Sequence, residues 1–174
     1  DRIVVTGAAG LVGQNLVTLL LEEGYRNIVA IDKHGANLAM LRRLHPEVEC
    51  AAADLAEPGD WSRQFRGAKV VVQLHAQITG LTGEPFVRNN VTATKNVLDA
   101  VRGAAVPFLI HASSSVVNSV ADDDYTRSKK AQERLVLESG VRCCVLRPTL
   151  MFGWFDPKHL GWLARFMERV PVFP

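Results

Sequence analysis

Six short apolar runs rich in β-branched residues punctuate the chain: "RIVVT" (2–6), "NIVAID" (27–32), "VECAAA" (48–53), "KVVVQL" (69–74), "PFLIHA" (107–112) and "VRCCVL" (141–146). Most are nearly continuous rather than alternating, the pattern of strands covered on both faces. Between them, apolar residues recur at helical spacing over 11–23, about 35–44, about 60–66, 86–102 and 124–139. Alternating strands and helices predict a parallel sheet with helices on both sides, and right-handed crossovers favour the doubly wound arrangement. No repeat, low-complexity tract or internal linker interrupts the rhythm. It breaks at 153–174, where Gly153, Pro157, Gly161, Pro171 and Pro174 surround one short helical stretch.

Composition narrows the class. The 174 residues are 48% apolar and 22% charged, enough for one domain with a sizeable core. A net charge of +2 without a basic block gives no reason to expect nucleic acid or membrane attraction. Cys50, Cys143 and Cys144 lack metal-ligand spacing and read as reduced, structural thiols. No apolar stretch reaches the roughly 18 residues of a membrane span, and "LVTLLL" stops at Glu22 and Glu23. No signal peptide precedes the first strand, so a cytoplasmic protein is expected. The chain starts at Asp1 and ends on "RVPVFP", and a piece of a longer chain is expected.

The turn after the first strand carries the first chemistry. In "VVTGAAGLVGQNL", Gly7, Gly10 and Gly13 space a turn that opens the first helix. Gly7 permits the tight turn, Gly10 bares the backbone where a pyrophosphate would approach, and Gly13 lets the helix pack closely on the sheet. Leu11, Val12 and Gly13 then offer helix N-terminal N–H groups to an anion. Asp32 closes the second strand, 19 residues beyond Gly13, where a carboxylate accepts from both hydroxyls of an adenosine ribose. It would repel a 2′-phosphate, which favours NAD over NADP; the adjacent Lys33 pulls the other way. A solvated strand-end Asp is the alternative reading.

Further motifs follow in order: "AADLAE" (52–57), "VVQLHAQ" (71–77), "NVTATKNVLDA" (90–100), "HASSSVV" (111–117), "YTRSK" (125–129) and "LRPTLMFG" (146–153). With "TGAAGLVG" (6–13), this set resembles the extended short-chain dehydrogenase/reductase superfamily, in its NAD-dependent epimerase/dehydratase family, over nearly the whole chain. The resemblance implies a Rossmann-type NAD-binding domain over 1–153 and, at 154–174, only the start of a truncated substrate-binding region. It implies NAD as cofactor and places Asp54 and Leu55 at the adenine. Leu74, His75, Ala76 and Ser113 fall beside the cofactor, and Asn90 supports the site, a buried structural hydrogen bond being its other reading.

Tyr125 and Lys129, four residues apart, share one helix face. A free tyrosine, with a pKa near 10, is a poor base at neutral pH, and a neighbouring ammonium favours the phenolate. The resemblance makes Tyr125 the base, Lys129 its tuner and a ligand of the nicotinamide ribose, and Ser115 the donor to the substrate oxygen, with Ser114 the other candidate. Three serines that merely cap a strand end are the plain reading.

Departures bear on the substrate. His75 stands where the family has alanine, Gln73 where it often has histidine, and Ala93 replaces a glycine. His75 reads as a hydrogen-bonded scaffold residue, His111 as a satisfied core or strand-end residue, and Arg147 as one half of an ion pair. Ten residues separate Ser115 from Tyr125; either the loop is short or residues between them are absent. Val116 and Val117 occupy the place of the acidic pair of sugar-nucleotide dehydratases and supply no acid or base. An epimerase of nucleotide sugars is expected first, and a dehydrogenase or reductase of a small non-nucleotide alcohol or ketone second. A non-catalytic NAD-binding sensor is the reading from another class. The helices 86–102 and 124–139 leave a homodimer contact open, since core-facing helices look the same.

Overall fold

The computed structural model describes residues 1–153, 155 and 160–170. The six expected strands form one parallel sheet: β1 (Arg2–Thr6), β2 (Asn27–Asp32), β3 (Glu49–Ala52), β4 (Ala68–Gln73), β5 (Leu109–Ala112) and β6 (Cys143–Leu146), in the order β3-β2-β1-β4-β5-β6. The order reverses between β1 and β4, and that reversal opens a crevice at the carboxyl ends of the strands where such sheets take ligands.

The helices divide between the two faces. α1 (Leu11–Glu22) and α2 (Gly35–Leu44) cover one; Ile3, Val5, Val17, Ile28, Ala30 and Leu41 form the core beneath them. Three elements cover the other: a 3-10 helix (Asp60–Phe65), α4 (Ala93–Gly103) and α5 (Asp124–Leu137). Beneath them lie Val4, Val29, Ile31, Phe65, Val71, Val97, Leu109 and Val136. Successive residues of one strand, such as Val4 and Val5, therefore enter different cores, which is why the runs are apolar throughout. The edge strands β3 and β6 are the exceptions: β3 exposes Glu49 and Ala52, and β6 alternates with Cys144 and Leu146 exposed; all three cysteines are free.

Element ends shift by one or two residues elsewhere, and three differences from the sequence expectation have physical reasons. β5 begins at Leu109 rather than 107, because Pro107 has no N–H to give a ladder. The segment at 60–65 coils as a 3-10 helix, with Trp61 and Phe65 buried edge to face. The helix expected from 86 starts earlier, as α3 (Glu84–Phe86) with Pro85 in its first turn, and runs through a π-helical segment (Val87–Thr92) into α4. Of the region expected at 154–174, only α6 (Leu160–Arg169), Phe155 and Val170 are described. Among the described residues no helix is long and apolar enough to cross a membrane. The outward faces of α4 and α5 carry Lys95, Asp99, Arg102, Arg127, Lys130 and Arg134, all exposed.

Candidate active site

The glycine turn sits at the β1–β4 reversal and is shaped by contact. Gly7 has a φ of +69°, and a Cβ there would come within 2.6 Å of the His75 backbone nitrogen. A Cβ on Gly13 would lie 2.5 Å from Ala8 Cα, so the helix can approach the turn only without one. Gly10 meets only the Gly7 carbonyl, at 3.3 Å, and it stands at the N-cap of α1, where no side chain caps the first N–H groups. The turn thus presents the N–H groups of Leu11, Val12 and Gly13 beside bare backbone, a fit for a pyrophosphate.

Asp32 ties this turn to the end of β2. Its Oδ2 accepts from the Ala9 N–H and its Oδ1 from the His34 N–H, both at 2.9 Å, and it is 6% exposed. Each carboxylate oxygen keeps a lone pair for a ribose hydroxyl. Lys33, the cation that would suit a 2′-phosphate, instead donates to Asn89 Oδ1 at 2.6 Å and lies 3.9 Å from Asp54. Arg88 binds Asp54 at 2.8 Å and Glu57 at 2.7 Å. Burial pushes the Asp54 carboxyl up, but the hydrogen bonds from Arg88 and the Ala56 N–H and the nearby Lys33 charge outweigh it and hold it below the usual carboxylate range. Leu55 is buried in the core, and its carbonyl accepts from Asn96 at 2.9 Å.

Beyond β4, Leu74 donates its N–H to the Thr6 carbonyl at 3.0 Å, and Ala76 is exposed. His75 is the scaffold residue its sequence position suggests: Nδ1 lies 2.9 Å from Thr6 Oγ1. Burial, then the positive charge of Lys129, lowers its pKa to about 3, so the ring is neutral. Asn90, fully buried in the π-helical segment, grips the backbone of Gln77 from both sides. Its Oδ1 accepts from the Gln77 N–H at 2.6 Å, and its Nδ2 donates to the Gln77 carbonyl at 3.1 Å and to Ser128 Oγ at 2.9 Å. Both amide hydrogens are engaged within the protein, so Asn90 joins the post-β4 loop to α5.

The three serines after β5 have separate tasks. Ser113 is buried, with its N–H on the Leu146 carbonyl at 2.7 Å. Ser114 caps a 3-10 turn (Ser115–Asn118), accepting from the Val116 N–H at 3.3 Å. Ser115 opens that turn, half-buried, with its own N–H on the Pro148 carbonyl at 2.9 Å. The connection to Tyr125 then runs through a fully exposed Val120 to Asp123, which caps α5 through the Thr126 N–H and hydroxyl, both at 2.8 Å.

Tyr125 lies in the first turn of α5, half-buried, its ring centroid 6.4 Å from that of Phe86. One turn on, Lys129 is 1% exposed and donates to Gln132 Oε1 at 2.6 Å and to the Ala112 carbonyl at 3.0 Å. Burial lowers its pKa to about 8, against the opposing pull of Glu133. Glu133 is itself held low, first by the hydrogen bond from Arg147, whose Nη2 reaches it at 2.5 Å. Arg147 is thus the ion-pair residue expected.

Two features differ from expectation or escaped it. His111 is fully buried, yet neither ring nitrogen has a hydrogen-bond partner in the protein among the described residues, so it is not the satisfied core histidine expected. Burial, followed by Lys129 and His75, lowers its pKa to about 3. A buried polar cluster, Gln132, Thr94 and Gln73, meets behind Lys129: Thr94 Oγ1 accepts from Gln132 Nε2 at 2.9 Å and from Gln73 Nε2 at 2.6 Å, and lies 3.5 Å from His75 Nε2. The only hint in the sequence is that Gln132 and Lys129 stand three apart on the inward side of one helix.

A doubly wound parallel sheet with a glycine-lined, uncapped helix N-terminus at its reversal and a carboxylate closing the second strand defines a dinucleotide-binding domain. Comparison with known proteins makes the class specific. The model of the NAD dependent epimerase/dehydratase family matches residues 3–171, and the chain belongs to that family, whose cofactor is NAD. It is 29% identical over 177 residues to a ceramide reductase of Caulobacter vibrioides, covering 99% of this chain and 53% of that protein. Among solved structures it resembles a UDP-galactose 4-epimerase (28% identity, TM-score 0.75, 98% of this chain and 64% of that one). It also resembles a UDP-glucuronic acid 4-epimerase from Bacillus cereus in complex with NAD (25% identity, TM-score 0.75, 88% and 58%). The chain spans about half the length of the curated relatives it matches.

Proposed function

We propose that residues 1–153 are the NAD-binding domain, and 154–174 the beginning of the substrate region, of a cytoplasmic epimerase that acts on a nucleotide sugar. The observation that carries this reading is the placement of Lys129. A buried ammonium one helical turn from Tyr125, with two of its three N–H groups fixed on Gln132 and Ala112, has one donor left for the phenol or a ribose. Gly7, Gly10, Leu11, Val12 and Gly13 hold the pyrophosphate and Asp32 the adenosine ribose. Asp54, Leu55, Leu74, His75, Ala76 and Ser113 line the cofactor, with Asn90 supporting the loop between them.

Bound NAD supplies the acceptor for a hydride from the sugar carbon and the source of its return. Tyr125 takes the proton of the sugar hydroxyl as the carbon is oxidised and gives it back on reduction. Lys129 stabilises the negative charge that the phenol oxygen carries before it takes that proton and after it gives it back, in a buried setting where that attraction is strong. Ser115, half-buried at the start of the 3-10 turn, donates to the substrate oxygen. Val116 and Val117, both half-buried, offer no acid or base for eliminating water, which supports epimerisation over dehydration.

The ceramide reductase relative favours a second reading, a dehydrogenase or reductase of a small non-nucleotide alcohol or ketone, built on the same residues. Product analysis separates them. The full-length protein, incubated with UDP-hexoses and NAD, is expected to interconvert epimers without net NADH. Stoichiometric NADH would favour the second reading, and neither product would reject both.

A further inference from the structure

We propose that Gln132 is a positioning residue for Lys129: its amide oxygen, held in one orientation by Thr94, aims the ammonium and favours its charged form. The orientation of Gln132 follows from hydrogen-bond chemistry. An ammonium only donates, so the group 2.6 Å from Lys129 Nζ is the amide oxygen, and the amide nitrogen faces Thr94 Oγ1 at 2.9 Å. Lys129, Gln132 and Thr94 are all buried to within 1% exposure, so water does not replace a lost contact at small cost. The cluster continues from Thr94 to Gln73 and His75 and ends at Thr6, the residue before the glycine turn. One set of side chains thereby spans α5, α4, the end of β4 and the end of β1.

Gln132 matters because the other charged and titratable neighbours do not settle the ammonium. Glu133, on the same helix, favours the charge but is paired with Arg147. His75 after β4 and His111 on β5 both stand close enough for Lys129 to lower their pKa values. Tyr125 precedes Lys129 by one turn. Against the cost of burial, two neutral oxygens, Gln132 Oε1 and the Ala112 carbonyl, receive the ammonium directly. The Ala112 carbonyl is backbone and is fixed by the sheet; Gln132 is the partner that substitution can change.

The inference rests on the proposed function only in taking Lys129 as the ammonium of the reaction. Its test reads that lysine directly. The full-length protein, labelled with 13C at lysine Cε, is titrated by NMR without substrate, and the Lys129 signal is assigned by its loss in Lys129→Arg. Gln132→Leu is expected to lower the Lys129 midpoint by about one pH unit, the loss of one hydrogen bond to a buried charge. Gln132→Glu, nearly the same in shape, is expected to raise it. Thr94→Val frees the amide to turn, and a smaller fall is expected there. Melting curves identify variants that fail to fold, and Gln132→Glu carries the test if Gln132→Leu is one of them. Opposite shifts support a positioning role, since loss of packing alone would not change sign with charge. Unmoved midpoints in folded Gln132→Leu and Gln132→Glu would overturn it while leaving the assignment of Tyr125 standing. Loss of the Tyr125 assignment would in turn leave the titration result intact.

Discussion

Lowering the pH should destabilise the protein through His111, starting from about the ordinary histidine range. The ring is fully buried and its pKa lies at about 3 in the fold, against about 6.5 in an unfolded chain. Between these values the unfolded chain holds the proton and the folded one does not, so stability falls as pH drops below 6.5. At pH 5 the linkage from this one residue is about 2 kcal/mol, or about 4–8 °C in Tm for a chain of this length. His111→Leu replaces a ring that makes no hydrogen bond among the described residues with an apolar side chain of similar size. Thermal melts of both proteins at pH 7 and pH 5 isolate the effect, because carboxylates shared by the two cancel in the difference. The variant should gain on the parent by about 2 kcal/mol between the two pH values. Parallel losses would mean that His111 protonates without cost in the fold and would overturn the linkage assigned to it. His75 adds to the parent's acid sensitivity in the same direction, to a smaller extent because it is only half-buried.

Other outcomes follow from the same geometry. Asp32→Ala should weaken NAD far more than NADP, measured by calorimetry, since only the unphosphorylated ribose loses partners; equal weakening would remove the ribose assignment. Gly13→Ala should cost about 2 kcal/mol in a denaturant titration, because its Cβ would be driven against the Ala8 backbone; an unchanged midpoint would contradict that contact. Turnover should fall as pH rises through about 8, where Lys129 loses its proton. Stability should do the opposite there: the lysine's pKa is depressed in the fold, so its contribution grows from about pH 8 toward 10.5, as melts across that window would record.

Much of the fold was legible because the strands are covered on both faces. "RIVVT" and "NIVAID" match β1 and β2 residue for residue, since a central parallel strand covered on both faces keeps the middle of its run apolar. The glycine turn was legible because Gly7 and Gly13 are demanded by contacts that any larger residue would violate. The π-helical segment was not, since a one-residue slip in hydrogen bonding leaves the apolar spacing of 86–102 nearly unchanged. Asn90 could be placed near the site from its motif, but its grip on Gln77 depends on how a loop folds back. Gln132 and Thr94 were silent for a related reason. Polar residues on a helix read as surface, and only the packing of α5 against α4 brings them inside around an ammonium.

The proposed reaction rests on the claim that Tyr125 moves the proton while the fold holds the dinucleotide, and one substitution tests it. Tyr125→Phe removes the phenol oxygen and keeps the ring against Phe86. Turnover should drop by at least about 100-fold with NAD affinity nearly unchanged. Turnover that survives in the variant would contradict the claim.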